Sequence, residues 1–99
     1  MKGPQGGYKE AKRKVLAALA DGSYLHEARN DVDVKNKLAT GEISAPDVAA
    51  LIKASTGNDH SQSQHHADRS ITVHVISRKG WYIKFYFLDP DTWFISVHQ

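Results

Sequence analysis

Hydrophobic and polar positions alternate along the last thirty residues of the chain, 70–99. Three segments in this part are rich in β-branched and aromatic residues, as strands usually are: 71–77, 81–88 and 92–98. Two short turn sequences separate them, Arg78-Lys79-Gly80 and Asp89-Pro90-Asp91. The pattern therefore predicts a three-stranded antiparallel meander.

Successive side chains of a strand point to opposite faces of a sheet, so the alternation assigns the residues of the meander to two faces. One face is predicted to be apolar and to pack against the core: Val73, Val75, Trp81, Ile83, Phe85, Phe87, Trp93, Ile95 and Val97. The other face is predicted to carry side chains that move protons or bind anions: His74, Tyr82, Lys84 and His98. We expect any function of the sheet to lie on this second face.

Upstream of the meander the hydrophobic period changes to that of helices. Apolar residues at three- and four-residue spacing predict a first helix over 8–20. A weaker stripe predicts a second helix over 23–40, which Gly41 stops. The sequence Ser44-Ala45-Pro46-Asp47 is typical of a helix start and predicts a third helix that runs to about Ser55.

The order of these elements, helices first and strands last, indicates an α+β fold. We expect an antiparallel meander with two or three N-terminal helices packed on one of its faces. Residues 1–7 are predicted to be a flexible tail, and 8–99 a single domain. Residues 56–69 form a long polar stretch without a large apolar residue, and a loop of this length is usually functional or disordered.

Composition narrows the classes of function. The chain has 99 residues, a formal net charge of +2 and no cysteine, so disulfides, thiolate metal sites and thiol catalysis are excluded. No apolar run approaches the roughly 20 residues that span a bilayer, and no secretory-type segment follows the N-terminus. We therefore expect a cytoplasmic protein without a membrane partner.

Basic residues are concentrated near the N-terminus, where Lys12 and Arg13 belong to a run with one acidic residue, Glu10. Such a patch favours polyanions through counterion release, although it is also typical of a solvated helix face. With Arg78 and Lys79 of the first turn, Lys12 and Arg13 are the candidate nucleic-acid-binding residues.

With three-residue turns, the pairing would place His74 beside Lys84, and Tyr82 beside His98, in one cluster on the second face. This set suits metal-independent RNA cleavage: a base takes the proton of the ribose 2′-hydroxyl, a cation stabilises the phosphorane, and an acid protonates the departing 5′-oxygen. Histidine can be base or acid, Lys84 would supply the cation, and Tyr82 would hold a phosphate or stack on a base. The plain alternative is an ordinary solvated sheet face that catalyses nothing.

The polar stretch holds three further histidines, His60, His65 and His66. Their spacing matches no common zinc motif, so no metal or other cofactor is assigned. They belong either to a mobile loop that delivers a general base, His60, to the sheet face or to a plain polar linker.

Three parts of the chain resemble the MqsR-type toxins, which are messenger-RNA endonucleases of the RelE superfamily in bacterial toxin–antitoxin pairs. These parts are Asp59-His60-Ser61, Trp81-Tyr82-Ile83-Lys84-Phe85 and Phe94-Ile95-Ser96-Val97-His98. The predicted helix that begins at Tyr8 is also similar to the opening segment of that family, with its basic and leucine positions before a glycine. The resemblance implies a RelE-like fold, an RNA substrate and a cognate antitoxin protein as partner. It places the family's functional tyrosine on Tyr82, followed by Lys84, and a basic residue on His98, where the family has lysine. The family's loop lysine aligns near His60, and its glutamine near His74.

The leading hypothesis is thus an endoribonuclease toxin that inhibits translation, with His98, His74, Lys84, Tyr82 and His60 as catalytic residues. The main alternative is a non-enzymatic module that binds nucleic acid or protein through the basic helix and the exposed sheet face. A third alternative is an immunity- or antitoxin-like domain that binds one protein partner.

Overall fold

The computed structural model describes residues 7–27 and 36–99. This part of the chain forms two helices, α1 (Tyr8–Asp21) and α2 (Ala45–Ala54). It also forms five strands: β1 (Tyr24–His26), β2 (His60–Gln64), β3 (Thr72–Arg78), β4 (Trp81–Leu88) and β5 (Asp91–His98). The predicted tail, apart from Gly7, and residues 28–35 of the predicted second helix lie outside the described residues. The α+β fold class is confirmed.

The five strands form one mixed sheet in the order β1-β5-β4-β3-β2. β3, β4 and β5 are the predicted meander, with antiparallel pairing. β2 extends it antiparallel to β3, and β1 lies parallel to β5. The predicted meander is therefore present, but the sheet has two strands that the sequence did not predict.

The two additional strands, β1 and β2, lie in segments that were predicted to have a different structure. Residues 23–40 were predicted as a helix, but Tyr24–His26 is a strand, and the described residues from Asn36 onward form a bridge to Val97 and turns. Residues 56–69 were predicted as a loop, but they contain the 3₁₀ turn Gly57–Asp59 and β2. The side chains of β2 are mostly exposed, so it carries no hydrophobic period, and it pairs along its whole length with the backbone of β3.

The ends of the helices follow the sequence signals closely. α1 ends at Gly22, whose φ of 78° suits a residue without a Cβ and whose N–H donates to the carbonyl of Ala18. At the start of α2 the Ser44 hydroxyl accepts a hydrogen bond from the Asp47 N–H at 3.2 Å. This cap satisfies one of the free amides that every helix start exposes.

The turn between β3 and β4 has two residues, Lys79 and Gly80, because Arg78 pairs directly with Trp81. Both turn residues have positive φ, 52° and 82°. Two-residue turns with this conformation match the right-handed twist of the strands they connect. The predicted three-residue turn was wrong by one residue. Since side chains alternate along a strand, this shift turns all of β3 over relative to β4.

The turn between β4 and β5 also has two residues instead of the predicted three, because Leu88 pairs with Asp91 and not with Thr92. A further irregularity lies within the pairing of these two strands. The pairing shifts by one residue between Lys84 and Phe85, so that Phe85 faces Phe94 while Lys84 still faces Ser96. Such a bulge re-aims the side chains beyond it. As a result Phe94 points into the core, whereas Ile95 and Trp93 pack on the other face.

The main core lies between the two helices and one face of the sheet, which we call the helix-facing face. Its strand residues are His74, Ile76, Trp81, Ile83, Phe85, Phe87, Phe94 and Val97. Val15 of α1 and Ile52 of α2 pack against them, with no exposed surface. Of the nine predicted core residues, Val73, Val75, Trp93 and Ile95 lie instead on the opposite face, which we call the outer face. Neither helix of the described ranges has the length and apolar character that crossing a bilayer requires.

Candidate functional site

Tyr82 and His98 lie directly opposite each other on the outer face, as predicted. Their rings stack with centroids 5.1 Å apart and planes inclined by 30°. Both side chains are half-buried, so each ring keeps an accessible surface. The sequence predicted the β4–β5 pairing correctly from Tyr82 to Lys84, before the bulge.

Lys84 lies on the same face, two residues along β4 from Tyr82 and opposite Ser96. Its neighbour on β3 is Val75, and the predicted neighbour, His74, is on the other face. The outer-face cluster therefore consists of Tyr82, Lys84, Ser96 and His98. It has a cation, two hydroxyl groups and one imidazole.

A hydrogen bond at Nδ1 holds the ring of His98. The Nδ1 atom of His98 lies 3.1 Å from the backbone carbonyl oxygen of Gln99. A carbonyl oxygen only accepts, so Nδ1 carries the proton and Nε2 of the neutral ring has the free lone pair. Nε2 is thus the nitrogen that can take up a proton.

His74 and His60 do not join this cluster, which corrects their predicted position. The two-residue turn places His74 on the helix-facing face, opposite Phe85, with 2% of its surface exposed. His60 Nε2 and His74 Nδ1 share a hydrogen bond of 3.0 Å, and the ring of His60 lies 5.4 Å from that of Tyr8. The two histidines form a pair between α1 and the sheet.

The surroundings of this pair favour neutral imidazoles. Burial, the neighbouring His60 and the positive charge of Lys14 lower the pKa of His74 to about 4. Burial also lowers the pKa of His60. The pair is therefore uncharged at neutral pH.

The basic residues of α1 are partly engaged within the protein. Lys12 donates hydrogen bonds to the carbonyl oxygens of Lys53 and Ser55, at 3.2 and 3.3 Å, and so satisfies the end of α2. Arg13 pairs with Glu10 on the exposed side of the helix. Neither cation is near the outer-face cluster, because α1 covers the helix-facing face.

Arg78 and Lys79 lie at the turn that adjoins Tyr82. Arg78 Nη1 is 3.3 Å from Asp59 Oδ2, and this carboxylate oxygen also accepts a 2.8 Å hydrogen bond from the Thr56 N–H. Lys79 is exposed and forms no ion pair with any described residue. Together with Tyr82, these two cations border a cleft of about 360 Å³.

The sequence reasoning missed a buried polar network on the outer face. His65 Nε2 donates to Glu27 Oε2 at 2.8 Å, and the hydroxyl of Tyr86 donates to the same oxygen at 3.1 Å. His65 Nδ1 accepts from the N–H groups of Ala67 and Asp68, at 3.0 and 3.3 Å, which fixes the proton on Nε2. Burial and the charge of Glu27 raise the pKa of Tyr86 to about 12.

This network joins Glu27, the residue after β1, to Tyr86 of β4 and to His65 in the segment after β2, and these three parts are far apart in sequence. Periodicity gives no signal for it, because Glu27 and His65 lie in segments predicted as helix and loop. His65 was predicted to be part of a mobile loop or linker, but it is 6% exposed and anchored at both nitrogens. Only the exposed His66, which stacks on His65 at 4.6 Å, retains the character of a surface residue.

No group of three or more histidine, aspartate or glutamate side chains in 7–27 and 36–99 has a geometry that could hold a metal ion. Comparison of the chain with protein-family models, with curated proteins and with solved structures found no match. The function must therefore be argued from the residues of the outer face.

Proposed function

We propose that the protein is a metal-independent endoribonuclease that cleaves single-stranded RNA, with messenger RNA as substrate, on the outer face of its sheet. The observation that carries the proposal is the stacked pair of Tyr82 and His98, with Lys84 on the same face. Together these residues supply a group that accepts a proton, a group that donates one and a cation. RNA cleavage without a metal needs these three functions.

Each residue has a role that follows from its chemistry. His98 Nε2 takes the proton of the ribose 2′-hydroxyl, whose oxygen then attacks the adjacent phosphorus. Lys84 stabilises the negative charge of the phosphorane. The bond to the 5′-oxygen breaks, and the hydroxyl of Tyr82 protonates that oxygen, which leaves a 2′,3′-cyclic phosphate on the upstream fragment. His74 and His60 have no part in this step, because they lie on the helix-facing face.

The order of helices and antiparallel strands, together with the MqsR-like residues at Tyr82, Lys84 and His98, supports a RelE-like toxin. In this proposal the enzyme acts in the cytoplasm, inhibits translation by cutting messenger RNA, and is neutralised by a cognate antitoxin protein. The two strands β1 and β2 flank the meander that carries the resemblance.

The test is to incubate the purified protein with single-stranded RNA in EDTA over a range of pH. Cleavage that leaves cyclic phosphate ends is expected, and His98→Ala should abolish it while the circular-dichroism spectrum stays unchanged. Induced expression should arrest growth, and the His98→Ala protein should not. Intact RNA at every pH, together with normal growth, would refute the proposal.

A second candidate is a module that binds RNA without cutting it. It is favoured by the position of His74 and His60 on the helix-facing face, which leaves His98 as the one histidine of the outer-face cluster of Tyr82, Lys84, Ser96 and His98. This candidate predicts salt-sensitive RNA binding without turnover, and binding that survives His98→Ala.

A further inference from the structure

A cleft lies at the end of the sheet where β3 turns into β4. It has a volume of about 360 Å³ and is lined by Asp59, Ser77, Arg78, Lys79, Gly80, Trp81 and Tyr82. Two of these residues are cations and one is an acid. The cleft therefore has the charge balance of an anion site.

The ion pair between Arg78 and Asp59 leaves one hydrogen-bond donor of Arg78 without an acceptor. Arg78 reaches Asp59 through Nη1, but its Nε–H is buried and has no acceptor in the described structure. A guanidinium normally satisfies its donors with a carboxylate or a phosphate, because its planar fork fits both. Asp59 Oδ2 accepts hydrogen bonds from both Arg78 Nη1 and the Thr56 N–H. The exposed Lys79 adds a second positive charge without a partner among the residues described.

The backbone around these cations is fixed. Lys79 and Gly80 have the positive φ angles of a tight hairpin turn, and Asp59 completes a capping box at the start of the 3₁₀ turn. A site with a fixed backbone loses little conformational entropy when a ligand binds. This rigidity suits a binding site.

The walls of the cleft add an aromatic component. Trp81 and Tyr82 both line it, and aromatic side chains beside cations are the usual means of holding the bases and phosphates of single-stranded nucleic acid. An inorganic anion would use only the cations. The combination fits a nucleotide unit.

The position of the cleft relates it to the outer-face cluster. Ser77 pairs with Tyr82, and Tyr82 pairs with His98, so one row of the sheet runs from the cleft to His98. Two strand spacings separate its ends, which is about 10 Å. An RNA strand bound at His98 reaches the cleft by crossing the β-strands along this row.

We infer that the cleft binds the phosphate and base of the nucleotide next to the cleaved one, with Arg78 and Lys79 on the phosphate and the rings of Trp81 or Tyr82 on the base. This inference rests on the proposed function, because it takes RNA to be the ligand of the outer face. If the cleft binds RNA in this way, Asp59 and the RNA phosphate compete for the guanidinium of Arg78.

The experiment measures binding separately from cleavage. The probe is a fluorescein-labelled, 2′-O-methylated single-stranded hexanucleotide, which the enzyme cannot cut, and affinity is read by fluorescence anisotropy at several salt concentrations. Arg78→Gln is expected to weaken binding about tenfold, the loss typical of one charged hydrogen bond. Lys79→Asn should lower the salt-dependence slope by about 0.7, the value for one phosphate contact of a single strand.

Two further variants sharpen the test. Asp59→Asn keeps an oxygen for the Thr56 N–H but removes the competing charge, so it is expected to tighten binding several-fold. Arg69→Gln is the matched control, because Arg69 is an exposed arginine that contacts Gln64 at the opposite end of β2. It should change neither affinity nor slope. Lys79 forms no ion pair in the described structure, so Lys79→Asn is informative even if Arg78→Gln fails to fold.

The outcomes separate this inference from the proposed function. Unchanged binding in both Arg78→Gln and Lys79→Asn would refute the inference that the cleft binds RNA. If the wild type still cut natural RNA, the proposed function would stand. Absence of probe binding also overturns the cleft, and the EDTA assay decides the enzyme activity by itself. Binding that depends on Arg78 without any cleavage supports the cleft and refutes the endoribonuclease.

Discussion

The ring of Tyr82 stacks on that of His98 across β4 and β5, with centroids 5.1 Å apart. The stack and the hydrogen bond from His98 Nδ1 to the Gln99 carbonyl oxygen hold the imidazole from two sides. This arrangement uses Nδ1 for a hydrogen bond within the protein and leaves Nε2 as the second nitrogen of the ring. Tyr82 thus makes two different contributions: its ring stacks on His98, and its hydroxyl is the proposed acid.

Substitution of Tyr82 should divide these contributions. Tyr82→Phe keeps the ring stack but removes the proposed acid, so kcat for RNA cleavage should fall by about 10²–10⁴ while KM stays close to the wild-type value. Tyr82→Ala should lower kcat similarly and also raise KM, because the stack is lost. The measurement is steady-state cleavage of a labelled RNA. Wild-type activity in Tyr82→Phe would exclude the hydroxyl as the acid.

The His60–His74 pair should make stability depend on pH. The pKa of His74 is about 4 in the folded protein and near 6.5 in the unfolded chain, so the unfolded chain binds more protons between these values. The stabilisation is fully present above about pH 6.5 and is lost as pH falls toward 4, by on the order of 2 kcal/mol. Urea unfolding at several pH values measures it.

The control is the double variant His60→Phe, His74→Leu, which removes both imidazoles. Its free energy of unfolding should vary less than that of the wild type between pH 6.5 and 4. In the proposed function it should still cleave RNA, because neither residue is on the outer face. Loss of cleavage in a folded double variant would contradict the placement of these histidines outside the catalytic set.

The β3–β4 turn should be sensitive to its second residue. Gly80 has φ 82°, and a Cβ at this angle costs about 1–2 kcal/mol, so Gly80→Ala should lower the free energy of unfolding by that amount. Gly57→Ala is a suitable control, since Gly57 has no positive φ and a Cβ there lies 3.8 Å from Tyr8. Thermal or urea unfolding compares the two variants. Equal stability of both would contradict the two-residue turn.

The Glu27–Tyr86 hydrogen bond should be visible in the titration of the phenol. The pKa of Tyr86 is about 12, raised first by burial and then by the charge of Glu27. Glu27→Gln removes that charge and should lower the pKa of Tyr86. Ultraviolet difference spectra at alkaline pH, with Tyr86→Phe as the reference that lacks this phenol, measure the shift. An unchanged titration would show that burial alone is responsible.

The sequence by itself determined the elements whose signals are local. The apolar spacing of α1, the cap at Ser44 and the alternating residues of β3, β4 and β5 lie within a few residues of one another, so short windows of sequence specify them. The sequence also predicted the pairing of Tyr82 with His98. It holds because the β4–β5 turn is one residue shorter than predicted and the bulge adds one residue to β5, so the two differences cancel at this pair.

Only the tertiary structure decided which face of the sheet each strand presents and which distant residues meet. The length of the Lys79-Gly80 turn and the bulge beside Lys84 change the register by one residue, and a one-residue change moves His74 into the core and Trp93 out of it. The strands β1 and β2 and the Glu27–His65–Tyr86 network have no local signal. Their backbone and polar groups are satisfied by partners far along the chain, and these partners become neighbours only once the chain has folded.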